Sequence, residues 1–107
     1  APEAIDVFSS EILSGKIGFH IEERRKFRKF LNIGYLDAFR AINPTSQIFS
    51  WWNYRAGGWE KNHGMRIDHM LLSPQVIDSA KICKINALMR SLPEPSDHVP
   101  VEIELNL

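Results

Sequence analysis

The chain has 107 residues, enough for one small domain and too few for two. Its 13 basic and 13 acidic residues balance, so no global basic field points to a polyanionic partner, although DNA requires only a local basic patch. No apolar run approaches the roughly 20 residues of a membrane helix, and the single Cys83 cannot form an internal disulfide. We therefore predict a cytoplasmic domain in a reducing compartment, without a membrane partner.

The first third of the chain predicts one clear helix. Residues 1–19 are weakly patterned and indicate loops around a short helical turn. Over residues 21–32, apolar side chains recur at helical spacing with charged side chains on the other face, which predicts an amphipathic helix. The basic cluster at residues 24–29 is interpreted as a solvated helix face, because nearby glutamates partly offset its charge.

The remainder of the chain predicts mainly extended segments. They lie at residues 35–42, 47–55, 65–73, 81–89 and 99–107, with a loop at 56–64 and a short helix at 74–80. Alternation in the second segment places Phe49, Trp51, Asn53 and Arg55 on one face and Ile48, Ser50, Trp52 and Tyr54 on the other. Alternation in the last segment places Val99, Val101, Ile103, Leu105 and Leu107 on one face.

These elements predict an α/β architecture whose second half is mostly strands. Strands with aromatic residues on both faces need cover on both sides, and one long helix supplies little of it. We therefore predict that part of the fold lies outside this chain. The first residue is Ala1 rather than Met, which indicates a processed chain or a piece of a longer protein.

Two carboxylates and a histidine carry the first indication of chemistry. His98, in Ser96-Asp97-His98, is the side-chain type most easily tuned to hold a proton near neutral pH. Asp68 stands in an apolar segment, where a carboxylate is costly unless it is paired. We therefore predict that Asp68 orients His98, as carboxylates do in catalytic triads. The alternative is that Asp97 caps a turn and His98 is an ordinary exposed residue.

Several strings of residues occur in the order and spacing of a known family. They are Asp37-Ala38-Phe39-Arg40, Phe49-Ser50-Trp51-Trp52-Asn53-Tyr54-Arg55, Gly58-Trp59 with Asn62, Gly64-Met65-Arg66-Ile67-Asp68, and Pro95-Ser96-Asp97-His98-Val99-Pro100-Val101. On these strings the chain resembles exodeoxyribonuclease III, of the endonuclease/exonuclease/phosphatase superfamily. The resemblance covers nearly the whole chain and is weakest over residues 1–20.

The resemblance implies a fold. That fold is the four-layer endonuclease/exonuclease/phosphatase fold, α/β in class, in which helices flank a two-sheet β-sandwich. Residues 1–107 would form the C-terminal part of one such domain, which is half of the sandwich, so the fold is incomplete in this chain.

The resemblance also implies roles for single residues. His98 matches the active-site histidine that contacts the scissile phosphate, and Asp68 matches the carboxylate that orients it. Asp97 matches an acidic residue at a divalent-metal site, for Mg²⁺ or Mn²⁺. The implied DNA contacts are Trp51, Met65 and Ile67 in a pocket for a flipped abasic sugar, Tyr54, Arg55 and Arg66 along the DNA backbone, and Asn62 in a loop that reaches a groove.

Each of these contacts has a purely structural alternative. Trp51 would be a core residue if it followed the usual behaviour of aromatics in strands. Trp52 and Tyr54, on the opposite face, are interpreted as packing residues. Asn62 either reaches DNA or serves only its own loop.

Other parts of the family's site have no match in this sequence. They are an N-terminal Asn, a metal-binding Glu, a Tyr, and an Asp-x-Asn pair whose Asp prepares the attacking water. In the family the Asp-x-Asn lies just ahead of the segment that resembles residues 1–10. We therefore expect the chain to need the N-terminal half of the same fold, and to be inactive alone.

Three functions compete at this stage. The first is the C-terminal part of a metal-dependent DNA phosphodiesterase in base-excision repair, an abasic-site endonuclease and 3′-to-5′ exonuclease on double-stranded DNA. The second is a non-catalytic DNA-binding or assembly fragment, and the third is an enzyme for a phosphoinositide or another small phosphodiester. The strings at residues 51–55 and 64–68 favour DNA over the third.

Overall fold

The computed structural model describes residues 1–55 and 57–106 as short helices and strands joined by turns. In chain order they are a 3-10 helix (Ala4–Asp6), α1 (Ser10–Leu13), α2 (Ile21–Asn32), β1 (Leu36–Asp37), α3 (Ala38–Ile42), β2 (Trp51–Trp52), β3 (Gly64–Met65), β4 (Leu71–Leu72), α4 (Pro74–Ile77), β5 (Ala80–Ile85), a second 3-10 helix (Ala87–Ser91) and β6 (Val101–Leu105). Within these described ranges no helix has the length and apolar character to cross a membrane.

The strands form three antiparallel pairs: β1 with β4, β2 with β3, and β5 with β6. Two single bridges widen the middle pair, because Val7 pairs with Met65 and Trp51 pairs with His98. Trp51 also lies opposite Met65, so these four residues stand side by side, in what we call the central row. Directly opposite residues project from the same face of a sheet. The central row therefore brings His98 to the face that β2 and β3 share.

Apolar packing is divided between two clusters. The larger contains Phe49 and Trp52, whose rings meet edge to face with centroids 6.4 Å apart, and joins α3, β2 and β5. The smaller consists of Val7, Phe19 and Met65. The two clusters meet at the β2–β3 pair, which is therefore anchored on both sides.

A buried group of charges joins the N-terminal 3-10 helix to the middle of the chain. Arg66 is 1% exposed; its Nε donates to Asp6 at 2.7 Å, and its terminal nitrogens donate to Asp37. Arg40 donates to the same Asp6 carboxylate at 2.6 Å. Burial by itself raises the pKa of Asp6, but the bonds and charges of the two arginines outweigh burial and hold that pKa below its usual value. We call these four residues the arginine network.

The long helix lies where the sequence predicts it, but the segment that follows it has a different secondary structure from the predicted one. Helix α2 spans residues 21–32, as predicted. The predicted extended segment at 35–42 is wrong beyond Asp37, because residues 38–42 form α3. The Asp37 side chain accepts a hydrogen bond from the backbone N–H of Arg40, and this cap starts a helix in a run of apolar residues.

The middle strands are shorter than predicted. Within residues 47–55 only β2 is a strand, and the predicted alternation fails because Phe49 and Ser50 are both buried. Within residues 65–73 the ladder stops after β3, where the backbone N–H of Arg66 donates to the carbonyl of Asp6. Side-chain and N-terminal partners thus replace strand partners in this region.

The last third of the chain follows the prediction more closely. The helix predicted at 74–80 is α4 and ends at Ile77. The extended segment predicted at 81–89 is β5 as far as Ile85, and the second 3-10 helix follows. The strand predicted at 99–107 begins at Val101, and Leu107 lies outside the described residues.

Candidate active site

His98 and Asp68 form a hydrogen-bonded pair. The His98 Nδ1 lies 2.8 Å from Asp68 Oδ2, with both side chains partly exposed. An ionised carboxylate can only accept, so Nδ1 carries the hydrogen and Nε2 is the ring nitrogen open to a ligand. The predicted pairing is therefore present, and His98 is not an isolated surface residue.

Ser50 holds the two members of this pair together. Its hydroxyl oxygen accepts from the backbone N–H groups of Ile67 and Asp68, at 3.0 and 3.1 Å. Its backbone carbonyl accepts from the N–H of Val99, next to His98, at 2.9 Å. Ser50 is fully buried. The sequence analysis assigned no role to Ser50; a small hydroxyl residue among buried aromatics is the only signal it offers.

The segment that carries Asp97 and His98 is fastened along β2. The backbone N–H of Trp52 donates to the Asp97 carbonyl at 3.1 Å, and the Tyr54 hydroxyl donates to the Pro95 carbonyl at 3.0 Å. The turn itself is closed by Ser96, whose hydroxyl oxygen accepts from the N–H of His98. The alternative in which Asp97 caps this turn is therefore wrong. Its carboxylate instead accepts from the indole Nε1 of Trp51 at 3.2 Å.

An open apolar cleft of about 710 Å³ adjoins this segment. Trp51, Met65 and Ile67, the three residues predicted for a sugar pocket, line it together. Trp51 is partly buried: it packs against the cluster of Val7, Phe19 and Met65 and also lines the cleft, so it serves both as a packing residue and as a cleft residue. The rest of the wall, which the sequence does not predict, is formed by Leu13, residues 15–18 and Asn53.

Gly18 is required where this wall approaches Met65. Its φ angle is +91°, and a Cβ atom there would lie 2.6 Å from the Met65 methyl group. Both the conformation and the contact favour glycine. A side chain at this position would push Met65 into the cleft.

Tyr54, Arg55 and Asn62 have separate surroundings. Tyr54 is 62% exposed, so the interpretation of it as a packing residue is wrong; its ring lies under the guanidinium of Arg90, at 5.0 Å. Arg55 is exposed in the bend three residues beyond the end of β2. Asn62 adopts φ +54° and accepts from the indole N–H of Trp52 at 3.0 Å, which anchors its loop to the core. Trp52 itself is buried, as predicted.

Arg66 does not lie where the sequence predicts it. Its guanidinium is buried against Asp6 and Asp37, and a terminal nitrogen donates to Nδ1 of His69 at 3.1 Å. It has no surface to offer a phosphate, so its assignment as a DNA contact is wrong. Arg66 is buried because Asp6 and Asp37, which lie far away in the sequence, neutralise its charge inside the protein. Without such partners the guanidinium would be solvent-exposed.

Asp97 is the side chain here that suits a divalent cation. Its carboxylate oxygens are the hard ligands that Mg²⁺ or Mn²⁺ prefers, and its partner is a neutral indole rather than a positive charge. Over residues 1–55 and 57–106, no group of three His, Cys, Asp or Glu side chains is arranged to hold a metal ion. The described residues therefore offer Asp97 as one oxygen ligand and do not by themselves form a complete metal site.

The known proteins to which this chain is similar include nucleases. Residues 21–98 match the sequence profile described as the Endonuclease/Exonuclease/phosphatase family. Exodeoxyribonuclease III of Haemophilus influenzae is 38% identical over 92 residues, which are 85% of this chain and 34% of that protein.

Solved structures agree over the entire chain. A 3′ phosphatase from Neisseria bound to a product DNA hairpin superposes with a TM-score of 0.96 at 33% identity, and covers 100% of this chain and 42% of that one. An AP endonuclease from Archaeoglobus fulgidus gives 0.92 at 33% identity, with the same coverage. The chain thus spans less than half the length of these relatives. The predicted fold class is confirmed, since the chain corresponds to part of a larger α/β fold.

Proposed function

Because the chain belongs to the endonuclease/exonuclease/phosphatase family, we propose that it supplies the phosphate-binding side of a DNA phosphodiesterase active in base-excision repair. The observation that carries the proposal is the His98–Asp68 pair at 2.8 Å, beside an apolar cleft. Relatives named exodeoxyribonuclease III and AP endonuclease, and a similar phosphatase bound to a DNA hairpin, support DNA as the substrate.

His98 stabilises negative charge at the phosphate. Asp68 accepts from Nδ1–H. In the imidazolium form of the ring Nε2 also carries a hydrogen, which it donates to a phosphate oxygen on which charge develops as water attacks phosphorus. A hydrogen bond from a charged donor to this oxygen is stronger than one from a neutral donor. Ser50 limits the movement of this pair through its bonds to the Asp68 and Val99 backbones.

Asp97 holds the divalent cation, Mg²⁺ or Mn²⁺, with ligands from the N-terminal half of the fold. When bound, that cation supplies Lewis-acid polarisation of a phosphate oxygen. The group that prepares the attacking water also belongs to that half in this proposal, since no residue of this sequence matches it. The 107-residue chain alone is then expected to bind DNA without hydrolysing it.

The cleft selects the substrate. Trp51, Met65 and Ile67 offer an apolar surface to a sugar that has lost its base, whereas a normal nucleotide is held in the duplex by stacking and pairing. Arg55, exposed three residues beyond the end of β2, is proposed to bind a backbone phosphate. A duplex with an abasic site or a free 3′ end is therefore the proposed substrate, rather than a phosphoinositide.

The test is His98→Ala in the protein that contains both halves of the fold. We expect incision of an abasic duplex to fall by about 10²–10³-fold, as for removal of one charge-stabilising donor. The dissociation constant for the duplex should stay nearly unchanged. The control is His20→Ala, which removes a histidine that caps α2 and not one that pairs with Asp68. A loss of less than tenfold would show that His98 does not have this role.

A second measurement separates an enzyme part from a non-catalytic module. The purified 107-residue chain is incubated with abasic duplex and Mg²⁺, with and without EDTA, and incision and binding are recorded. Binding without incision is the expected outcome. Robust EDTA-sensitive incision would contradict the assignment of the water-activating group to the other half.

A further inference from the structure

Trp51 contacts both parts of the candidate active site. One surface of its indole lines the apolar cleft, together with Met65 and Ile67. Its Nε1 donates to Oδ2 of Asp97 at 3.2 Å. The same side chain therefore forms the wall for the proposed sugar and holds the carboxylate proposed for the cation.

Backbone hydrogen bonds fix the main chain of Asp97 but not the rotation of its side chain. The Asp97 carbonyl accepts from the N–H of Trp52 at 3.1 Å, and the next residue, His98, pairs with Trp51. In the part of the chain that the structure describes, the Trp51 indole is the only side-chain donor to the Asp97 carboxylate. The indole N–H thus orients the carboxylate through Oδ2, and Oδ1 stays open to a further partner.

We propose that Trp51 is a positioning residue whose indole N–H orients Asp97 for cation binding and thereby couples the apolar cleft to the cation. The proposal rests on the proposed function, because the cation role of Asp97 belongs to it. A neutral donor suits this task, since it fixes one oxygen without cancelling the negative charge that attracts the cation. Coupling of this kind is reciprocal. A molecule that binds in the cleft and moves the indole changes the affinity for the cation by a certain factor, and the cation changes the affinity for that molecule by the same factor.

Four variants separate the contributions. Trp51→Phe keeps an apolar wall and removes the N–H. Its matched control is Trp59→Phe, since Trp59 packs at 5.0 Å against Trp52 and donates its N–H to none of the described residues. Asp97→Asn keeps an oxygen acceptor for the indole and removes the charge, whereas Asp97→Ala removes both.

The first readout is the indole N–H signal of Trp51 in ¹⁵N NMR spectra, assigned by its loss in Trp51→Phe. We expect this hydrogen to exchange slowly with water in the unsubstituted protein and in Asp97→Asn. Exchange should be about fivefold faster in Asp97→Ala, in which the acceptor is gone. An exchange rate that Asp97→Ala leaves unchanged would overturn the proposal, because the bond would then be absent in solution.

The second readout is the Mn²⁺ affinity of the protein that contains both halves of the fold, measured by paramagnetic broadening of the His98 amide signal. Trp51→Phe should weaken it about tenfold, the lower end of the effect of removing a partner of a metal ligand, while Trp59→Phe leaves it unchanged. Equal affinities in Trp51→Phe and the unsubstituted protein would overturn the positioning role alone. Absence of broadening in the unsubstituted protein would overturn the cation role of Asp97, and the coupling with it, while slow indole exchange would still be observed.

Discussion

Ser50 fixes the backbone at Asp68 and next to His98. Its hydroxyl oxygen accepts from the N–H groups of Ile67 and Asp68, and its carbonyl accepts from Val99. The two donors to the hydroxyl have no strand partner, because the ladder ends at Met65. The conformation that directs Asp68 toward His98 therefore depends on one buried oxygen atom.

Ser50→Ala should destabilise the protein and disturb the site. It leaves two partly buried backbone N–H groups without an acceptor, at a total cost of about 1–3 kcal/mol. Urea unfolding measures this loss, and the ¹⁵N shifts of the His98 ring report whether Asp68 still holds Nδ1. The control is Ser91→Ala, which removes an exposed hydroxyl bonded to the Leu88 carbonyl. Unchanged His98 shifts would show that Ser50 does not position the pair.

The sequence predicts the His98–Asp68 pair because a carboxylate in an apolar segment needs a partner. It does not predict the position of Arg66, since the partners Asp6 and Asp37 lie far away in the chain and only the fold brings them together. The role of Ser50 is not predictable for the same reason, since its hydrogen-bond partners also lie far away in the sequence. The prediction of the His98–Asp68 pair is confirmed although both side chains are partly exposed rather than buried. Prediction fails for Arg66 and Ser50, whose burial depends on distant partners.

The arginine network is the device that joins separate elements. Asp37 both caps α3 and accepts from Arg66, while Asp6 belongs to the N-terminal 3-10 helix. Arg66 follows β3 directly. A single guanidinium thereby fixes the N-terminal segment, a helix start and a strand end relative to one another.

Arg66→Met should be strongly destabilising. It leaves two buried carboxylates without their main positive partner, a change that typically costs 3–5 kcal/mol. Arg28→Met is the matched control, because it breaks an exposed ion pair with Glu3, which should cost about 0–1 kcal/mol. Urea or thermal unfolding of both variants checks this. A loss below about 1 kcal/mol for Arg66→Met would mean that the network contributes little net stability.

Secondary-structure elements that have a clear periodicity in their own sequence are predictable here. Elements whose ends depend on residues far away in the sequence are not. Helix α2 has helical periodicity along its whole length, and residues 21–32 form it. Helix α3 escapes prediction because its start depends on how Asp37 is used as a cap. The strands are predicted too long, since apolar alternation does not show where the Ser50 hydroxyl or the Asp6 carbonyl replaces a neighbouring strand as the backbone hydrogen-bond partner.

His69 extends the arginine network toward α2 and gives the whole molecule a pH response. Its ring lies 4.6 Å from that of Phe27, and its Nδ1 faces Arg66. Burial first, and then the positive charge of Arg66, lower the pKa of His69 from 6.5 to about 4. Between these two pH values the unfolded chain binds a proton that the folded chain does not. Stability therefore falls as the pH is lowered through this window.

The free energy of unfolding should decrease by on the order of 2 kcal/mol between pH 7 and pH 4.5. His69→Gln keeps an acceptor for Arg66 and does not titrate, so it should remove most of this dependence. His20→Gln, at the partly exposed start of α2, should keep it. Urea unfolding at intermediate pH values provides the measurement. Below about pH 4 a further loss is expected from Asp6, whose pKa lies under 3.8 in the folded chain. Equal slopes for the unsubstituted protein and His69→Gln would contradict the assignment.

At the scale of the molecule the α/β class could be predicted, and the arrangement of strands could not. The expectation of a fold larger than this chain agrees with the similar solved structures, of which the chain spans 42%, although the strand alternation from which it was argued is wrong. The three separate strand pairs and the central row depend on contacts between distant residues. No local pattern encodes such contacts.

The central row also has a kinetic consequence. It joins residues near the start, the middle and the end of the chain, so it closes only after large loops have lost their freedom. Folds that depend on contacts of such wide sequence separation form slowly. A chain in which the central row has not formed does not hold His98 beside Trp51, so the proposed phosphate-binding group depends on long-range folding.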